Sequence, residues 1–226
     1  MARPGSERIV FPLDVAGVSD ALPWVERLGD AVGVFKIGLE LFSAGGPEAV
    51  RRVRAATRAA LFLDLKLHDI PATVEGAARA LRPLGPAMLT VHAAGGKAML
   101  EAAVRGAGPD FCVLGVTRLT SLSASLEEVT ELARLAREAG CGGVVCSGNE
   151  ARAVRSAVGP ELRVICPGVR PAGADVADQV RVVTPAGAIA AGADYLVVGR
   201  PIRDAKDPLA AAAAIADEIQ GALKGP

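Results

Sequence analysis

Eight short runs of apolar, often β-branched residues recur along the chain: "IVFPLDV", "VGVFKIG", "LFLDLKL", "MLTVHAA", "FCVLGVT", "GGVVCSG", "LRVICPG" and "YLVVGRP". They begin at Ile9, Val32, Leu61, Met88, Phe111, Gly142, Leu162 and Tyr195, at intervals of roughly 20 to 33 residues, the spacing expected when each strand is followed by a crossover helix. Near-continuous hydrophobicity marks strands buried on both faces, hence a parallel sheet. Between the runs lie Ala-rich amphipathic segments. In "SLEEVTELARLAREAG", Leu126, Val129, Leu132, Ala133 and Ala136 share one face, Ser125 or Ser123 caps the start and Gly140 ends the helix. Eight strand-then-helix units with no break in composition predict one α/β domain over residues 1–226, a (β/α)8 TIM barrel, because an open doubly wound sheet usually has fewer strands and a Gly-rich first turn.

In such a barrel the chemistry lies at the C-terminal ends of the strands. Asp14, Lys36, Asp64 with Lys66, His92, Thr117, Ser147, Arg170 and Arg200 all fall near those ends. "LFLDLKLHDIPATV" (61–74) is the densest case. Asp64 and Lys66 are two apart on a strand and point to one side, while Leu63, Leu65 and Leu67 point to the other. With Asp14 and Lys36 on the first two strands, the mouth gathers two acids and two lysines of alternating sign, each holding its neighbour's charge in place. A set of salt bridges without chemical role is the plainer alternative, but buried ion pairs are weak stabilisers that an apolar core could replace. His68 and His92 have no acidic partner at metal-ligand spacing and are expected to pack or to support the site.

Composition narrows the function. The 226 residues carry 25 basic and 25 acidic side chains, so no net field draws nucleic acid or an anionic membrane, and an anionic ligand must be caught locally. The N-terminal "MARPGSERIVF" lacks an apolar signal core, and the longest aliphatic run, "LAAAAAIA" (209–216), falls far short of the ~20 residues that span a bilayer. A soluble, cytoplasmic protein is expected. Cys112, Cys141, Cys146 and Cys166 show no paired metal spacing and are read as reduced core residues.

The last strand closes in "VVGRPI", which sets Gly199 beside the guanidinium of Arg200 where barrels of this kind hold phosphate. The preceding connection, "PGVRPAGADVADQVRVVTPAG", is far longer than usual and runs to a helix start at Thr184-Pro185. It carries Arg170 and Gln179 and is expected to act as a lid. "TRLTSLSAS" after the fifth strand offers Thr120 and Ser121 as hydrogen-bonding groups.

Taken together, these residues resemble the orotidine 5'-phosphate decarboxylase family in its bacterial form. "LDLKLHDIPATV" is similar to the family's D-x-K-x-x-D-I-P-x-T, and "FPLDV", "FKIGLELF", "TVHAAGG", "LTS", "PGVRP", "DQVR", "TP" and "VVGRPI" follow in the expected order. The resemblance implies decarboxylation of orotidine 5'-monophosphate to uridine 5'-monophosphate and carbon dioxide, the last step of de novo pyrimidine nucleotide synthesis. It implies Lys66 as proton donor to C6, Asp64 against the departing carboxylate, and Lys36 and Asp14 at the ribose hydroxyls. Asp69, Ile70 and Thr73 would reach into a partner's site, which makes the protein a homodimer. Thr120 would meet the base, and Arg170, Gln179, Gly199 and Arg200 the phosphate.

No site for pyridoxal phosphate, thiamine or a metal is visible in the sequence, so a cofactor-free reaction with electrostatic stabilisation is expected. Two rival readings share part of this pattern. A sugar-phosphate decarboxylase or aldolase on the same barrel shares D-x-K-x-x-D but uses a divalent metal, for which Glu40 is a candidate ligand. A catalytically silent phosphate-binding barrel, acting as a scaffold or sensor, would need Arg200 and the lid but not Lys66 with Asp64.

Overall fold

The structure, a computed structural model, describes residues 3–119, 124–171 and 183–224. Thr120, Ser121 and Gln179, and most of the long connection expected to form a lid, lie outside the described residues.

Eight strands form a closed, all-parallel barrel in sequence order: β1 (Ile9–Pro12), β2 (Val34–Gly38), β3 (Ala60–Leu67), β4 (Met88–His92), β5 (Cys112–Val116), β6 (Gly143–Val145), β7 (Arg163–Pro167) and β8 (Tyr195–Val197). Each begins within two residues of the expected start. Closure is made by β1 against β8, with Val10 opposite Val197. The helices are α1 (Val18–Leu28), α2 (Leu39–Ala56), α3 (Pro71–Leu81), α4 (Lys97–Ala107), α5 (Leu126–Glu138), α6 (Ala151–Val158), α7 (Pro185–Ala190), α8 (Arg200–Arg203) and α9 (Pro208–Lys224). After β8 the chain forms the short α8 and then the long α9 that closes the described residues.

Strand alternation divides the core in two. Val10, Val34, Phe62, Met88, Leu114 and Ile165 plug the barrel interior. Ile9, Phe11, Phe35, Leu61, Leu63 and Leu89 face outward and pack under the helices. Burying side chains of this size is worth roughly 1.5–3 kcal/mol each, so the plug is a solid floor beneath the mouth.

Local signals behave as their chemistry requires. Ser125 Oγ accepts the Glu128 N–H (3.1 Å) at the start of α5, and Thr184 Oγ1 accepts the Gly187 N–H (3.0 Å) ahead of Pro185 in α7. Val129, Ala133 and Ala136 are buried as expected. Leu126 is not: it stands 52% exposed, because as the first residue of α5 it lies a turn ahead of the part that packs on the sheet. All four cysteines are free thiols, and three are buried; burial pushes the Cys141 thiol up to about 12, with Cys112 adding to the effect.

Candidate active site

Four side chains at the ends of β1–β3 form a line of alternating charge. Lys36 Nζ sits 3.0 Å from Asp14 Oδ1 and 3.4 Å from Asp64 Oδ2, and Lys66 Nζ lies 2.8 Å from Asp64 Oδ1. Its middle is withdrawn from water: the Lys36 side chain is 9% exposed and that of Asp64 14%, against 50% for Asp14 at the outer end. Burial pushes the Asp64 carboxyl up, but the charges of Lys36 and Lys66 and hydrogen bonds from Lys66 and Thr90 outweigh it and hold the group below its ordinary 3.8. Asp64 is therefore ionised at neutral pH.

The local backbone is not a regular strand. Leu63 of β3 pairs with Leu89 of β4, but the next pairing is Leu67 with Val91, so Asp64, Leu65 and Lys66 stand against Thr90 alone. This bulge bends the strand at its functional end. Within it Lys66 adopts φ 48°, the one non-glycine residue with positive φ among the described residues, a conformation costing about 1–3 kcal/mol. Thr90 closes the gap: its Oγ1 accepts the Lys66 N–H and donates to Asp64 Oδ1, both at 2.9 Å.

Sequence spacing brought Asp64 and Lys66 to one side, and they do meet; Thr90 and the bulge were missed, because a β-branched residue in an apolar strand reads as packing. Gly38 was missed as well. A Cβ there would lie 3.0 Å from Lys36 Nζ and 3.1 Å from Asp14 Oδ1, so any larger residue would press on both charges.

Two adjoining cavities open at this end of the barrel. One, of about 310 Å³, is lined by Asp14, Lys36, Asp64 and Lys66 together with the apolar Phe62, Val116, Leu119, Val145, Ile165 and Pro167. The second, of about 260 Å³, is lined by Gly168, Val169, Arg170, Gly199, Arg200 and Arg203. Pro12, Asp14 and Val197 belong to both walls. Gly199 passes so close to β1 that a Cβ would meet Pro12 Cγ at 2.9 Å. At the base of the long connection, Val169 bridges Val183 and the Arg170 N–H donates to Val183 O (3.1 Å). Arg170 is buried.

Other candidates take supporting places. The His68 and His92 rings pack at 5.4 Å between centroids. Burial lowers the His92 imidazole from its ordinary 6.5; His68, Lys66 and Arg118 add to this against the opposing pull of Asp64. Thr117 donates its hydroxyl to Val145 O (3.0 Å), a structural bond. Arg118, which sequence patterning did not single out, lines the larger cavity and is paired with Glu128. Glu40 is exposed in the first turn of α2, and among the described residues no group of three or more His, Cys, Asp or Glu is placed to hold a metal. Asp69 Oδ1 accepts the Ile70 N–H (2.6 Å). Ile70 is 66% exposed, and Asp69, Ile70 and Thr73 line neither cavity.

A closed parallel barrel with an ion array and an arginine-lined cavity at its strand ends defines the class: a (β/α)8-barrel enzyme. The family model of orotidine 5'-phosphate decarboxylase / HUMPS matches residues 7–215, and the chain belongs to that family. It is 56% identical over 222 residues to the orotidine 5'-phosphate decarboxylase of Anaeromyxobacter sp. (strain K), an alignment covering 93% of this chain and 97% of that one. With the Thermobifida fusca (strain YX) protein of the same name the identity is 52%, covering 94% and 95%. The crystal structure of orotidine 5'-phosphate decarboxylase from Lactobacillus acidophilus superposes with a TM-score of 0.82 at 34% identity, covering 96% of this chain and 99% of that one.

Proposed function

We propose that the protein decarboxylates orotidine 5'-monophosphate to uridine 5'-monophosphate and carbon dioxide, the closing step of pyrimidine nucleotide synthesis, without a cofactor. The observation that carries this is the Asp14–Lys36–Asp64–Lys66 line set against an apolar wall, in a cavity adjoining the Arg200 cavity. A flat pyrimidine fits between an apolar wall and a row of ions, and a phosphate fits the neighbouring arginines.

In the proposed reaction the bond from C6 to the carboxylate breaks, carbon dioxide leaves and the electron pair stays on C6. That carbon has no adjacent electron sink, so the protein must stabilise the charge. The Lys66 ammonium, pinned to Asp64 at 2.8 Å, is pre-oriented to face the developing carbanion and then to protonate it. Ionised Asp64 repels the substrate carboxylate, and departure of carbon dioxide relieves the repulsion; the larger share is assigned to transition-state stabilisation by Lys66.

Asp14 and Lys36 hold the ribose hydroxyls, and Thr120 meets the base. Arg170, Gln179, Gly199 and Arg200 take the phosphate, whose binding energy, remote from C6, drives closure around the reacting end. The exposed Asp69, Ile70 and Thr73 complete the site of a second copy, so the protein is a homodimer. It works in the cytoplasm as one barrel domain spanning residues 1–226; among the described residues no helix is long and apolar enough to cross a membrane.

The test is the decay of orotidine monophosphate absorbance with purified protein. Steady decay that survives EDTA supports the reading. No decay at a concentration where the nucleotide binds overturns it in favour of a silent phosphate-binding barrel, and decay abolished by EDTA favours a metal-dependent relative. For the shared site, inactive Asp69→Ala and Lys66→Ala proteins should partly restore activity when mixed; no recovery after verified subunit exchange counts against sharing.

A further inference from the structure

We propose that Thr90 is a positioning residue for the reaction: its hydroxyl fastens the Asp64 carboxylate and the Lys66 backbone together, and so sets where the Lys66 ammonium points. The inference rests on the decarboxylase reading for the roles of Lys66 and Asp64, and goes beyond it in assigning their alignment to a third side chain.

The register makes the case. Between the Leu63–Leu89 and Leu67–Val91 pairs, β3 has Asp64, Leu65 and Lys66 where β4 has only Thr90. A bulge of this kind leaves ladder groups without their regular partners, and an unpaired backbone N–H in a buried site is costly. The Lys66 N–H finds its acceptor in Thr90 Oγ1 at 2.9 Å. The same oxygen donates its proton to Asp64 Oδ1, also at 2.9 Å, and Asp64 Oδ1 accepts in turn from Lys66 Nζ at 2.8 Å. The result is a closed ring: Lys66 backbone, Thr90 hydroxyl, Asp64 carboxylate, Lys66 ammonium. A hydroxyl is suited to this joint because it donates once and accepts at the same atom.

Two further observations fit this role. Lys66 sits at φ 48°, a backbone geometry that relaxes unless its surroundings hold it, and the Thr90 bond is on the N–H of that residue. Thr90 is fully buried, so water does not stand in for its hydroxyl. The groups facing Asp64 are Lys36 from β2, Lys66 from its own strand and Thr90 from β4, with His92 next along β4 and Asp14 beyond Lys36.

The experiment compares Thr90→Val, which keeps the shape and removes both bonds, with Thr90→Ser, which keeps the hydroxyl. In Thr90→Val, kcat for orotidine monophosphate falls about 10- to 100-fold, the loss expected for a hydrogen bond to a charged group, while KM stays within about threefold. Thr90→Ser recovers kcat to within about fivefold of wild type. Independently of turnover, the carboxyl of Asp64, followed by carbon NMR against pH, titrates higher in Thr90→Val than in wild type. A Thr90→Val kcat within twofold of wild type overturns the proposal. So does a Thr90→Ser enzyme as impaired as Thr90→Val, or an Asp64 titration that does not move. If Thr90→Val fails to fold, Thr90→Cys, whose thiol donates and accepts weakly, replaces it under the same criteria. Absence of turnover in the wild-type protein refutes the decarboxylase reading alone, and the Asp64 titration then decides the role of Thr90.

Discussion

The two walls of the barrel mouth are built differently. On β1–β3 the functional groups stand on the strands or just past them, Lys36 in β2, Asp64 and Lys66 in β3 and Asp14 two residues beyond β1, joined to one another by ion pairs of 2.8–3.4 Å and locked by a bulge. Beside them, Arg170 and Arg200 lie beyond the ends of β7 and β8, on a loop and a four-residue helix. A group that must meet one atom in the transition state gains from a stiff mount, because small displacements there are expensive in rate. Phosphate, with several oxygens and a diffuse charge, tolerates a looser cradle, and its binding energy is useful at a distance.

The contrast can be broken most forcibly at Lys66. Lys66→Ala should lower turnover by about 10⁴-fold or more, combining loss of proton donation with loss of a preorganised charge, while uridine monophosphate binding by calorimetry changes less than about tenfold. On the neighbouring wall, Arg200→Ala should raise KM by about 10- to 100-fold, the effect of removing charge-assisted bonds worth roughly 1.5–3 kcal/mol, with the smaller change in kcat.

The paired glycines sharpen the same division. Gly38→Ala presses on Lys36 and Asp14 at 3.0–3.1 Å and should reduce kcat by about tenfold. Gly199→Ala presses on Pro12 at 2.9 Å and should act mainly through KM by a similar factor. If both substitutions moved the same kinetic constant, the walls would not be functionally distinct.

The smallest effect is in stability against pH. Asp64 titrates lower in the folded protein than its ordinary 3.8, so its contribution is complete above about pH 4 and is lost as pH falls through the folded value. His92 is likewise depressed from 6.5. Being a base, it binds its proton more readily unfolded, so its contribution is present above 6.5 and declines below it. Denaturant midpoints between pH 7 and pH 5 should fall less in His92→Gln than in wild type, whereas Asp64→Asn should lower the midpoint at neutral pH and flatten the fall below about pH 4.

How far the sequence reveals this depends on which physical signal carries each feature. Charges inside greasy strands are visible without any fold, and Asp14, Lys36, Asp64 and Lys66 stood out because nothing in a core explains them. The strand starts were visible through their runs, and the caps at Ser125 and Thr184 through side-chain chemistry. Thr90 and Gly38 carry no such signal. Their roles arise from which residue the register sets beside them, and a bulge that shifts the register leaves no mark in hydrophobic periodicity. Leu126 errs the other way: its spacing matches the buried face, but packing stops short of the helix's first turn.

One consequence lies at the clasp between Val169 and Val183. The bridge ties the exit of β7 to the approach of α7, and the Val183 carbonyl takes the Arg170 N–H. Whatever loosens that one contact is therefore felt at the cavity wall that Val169 and Arg170 form.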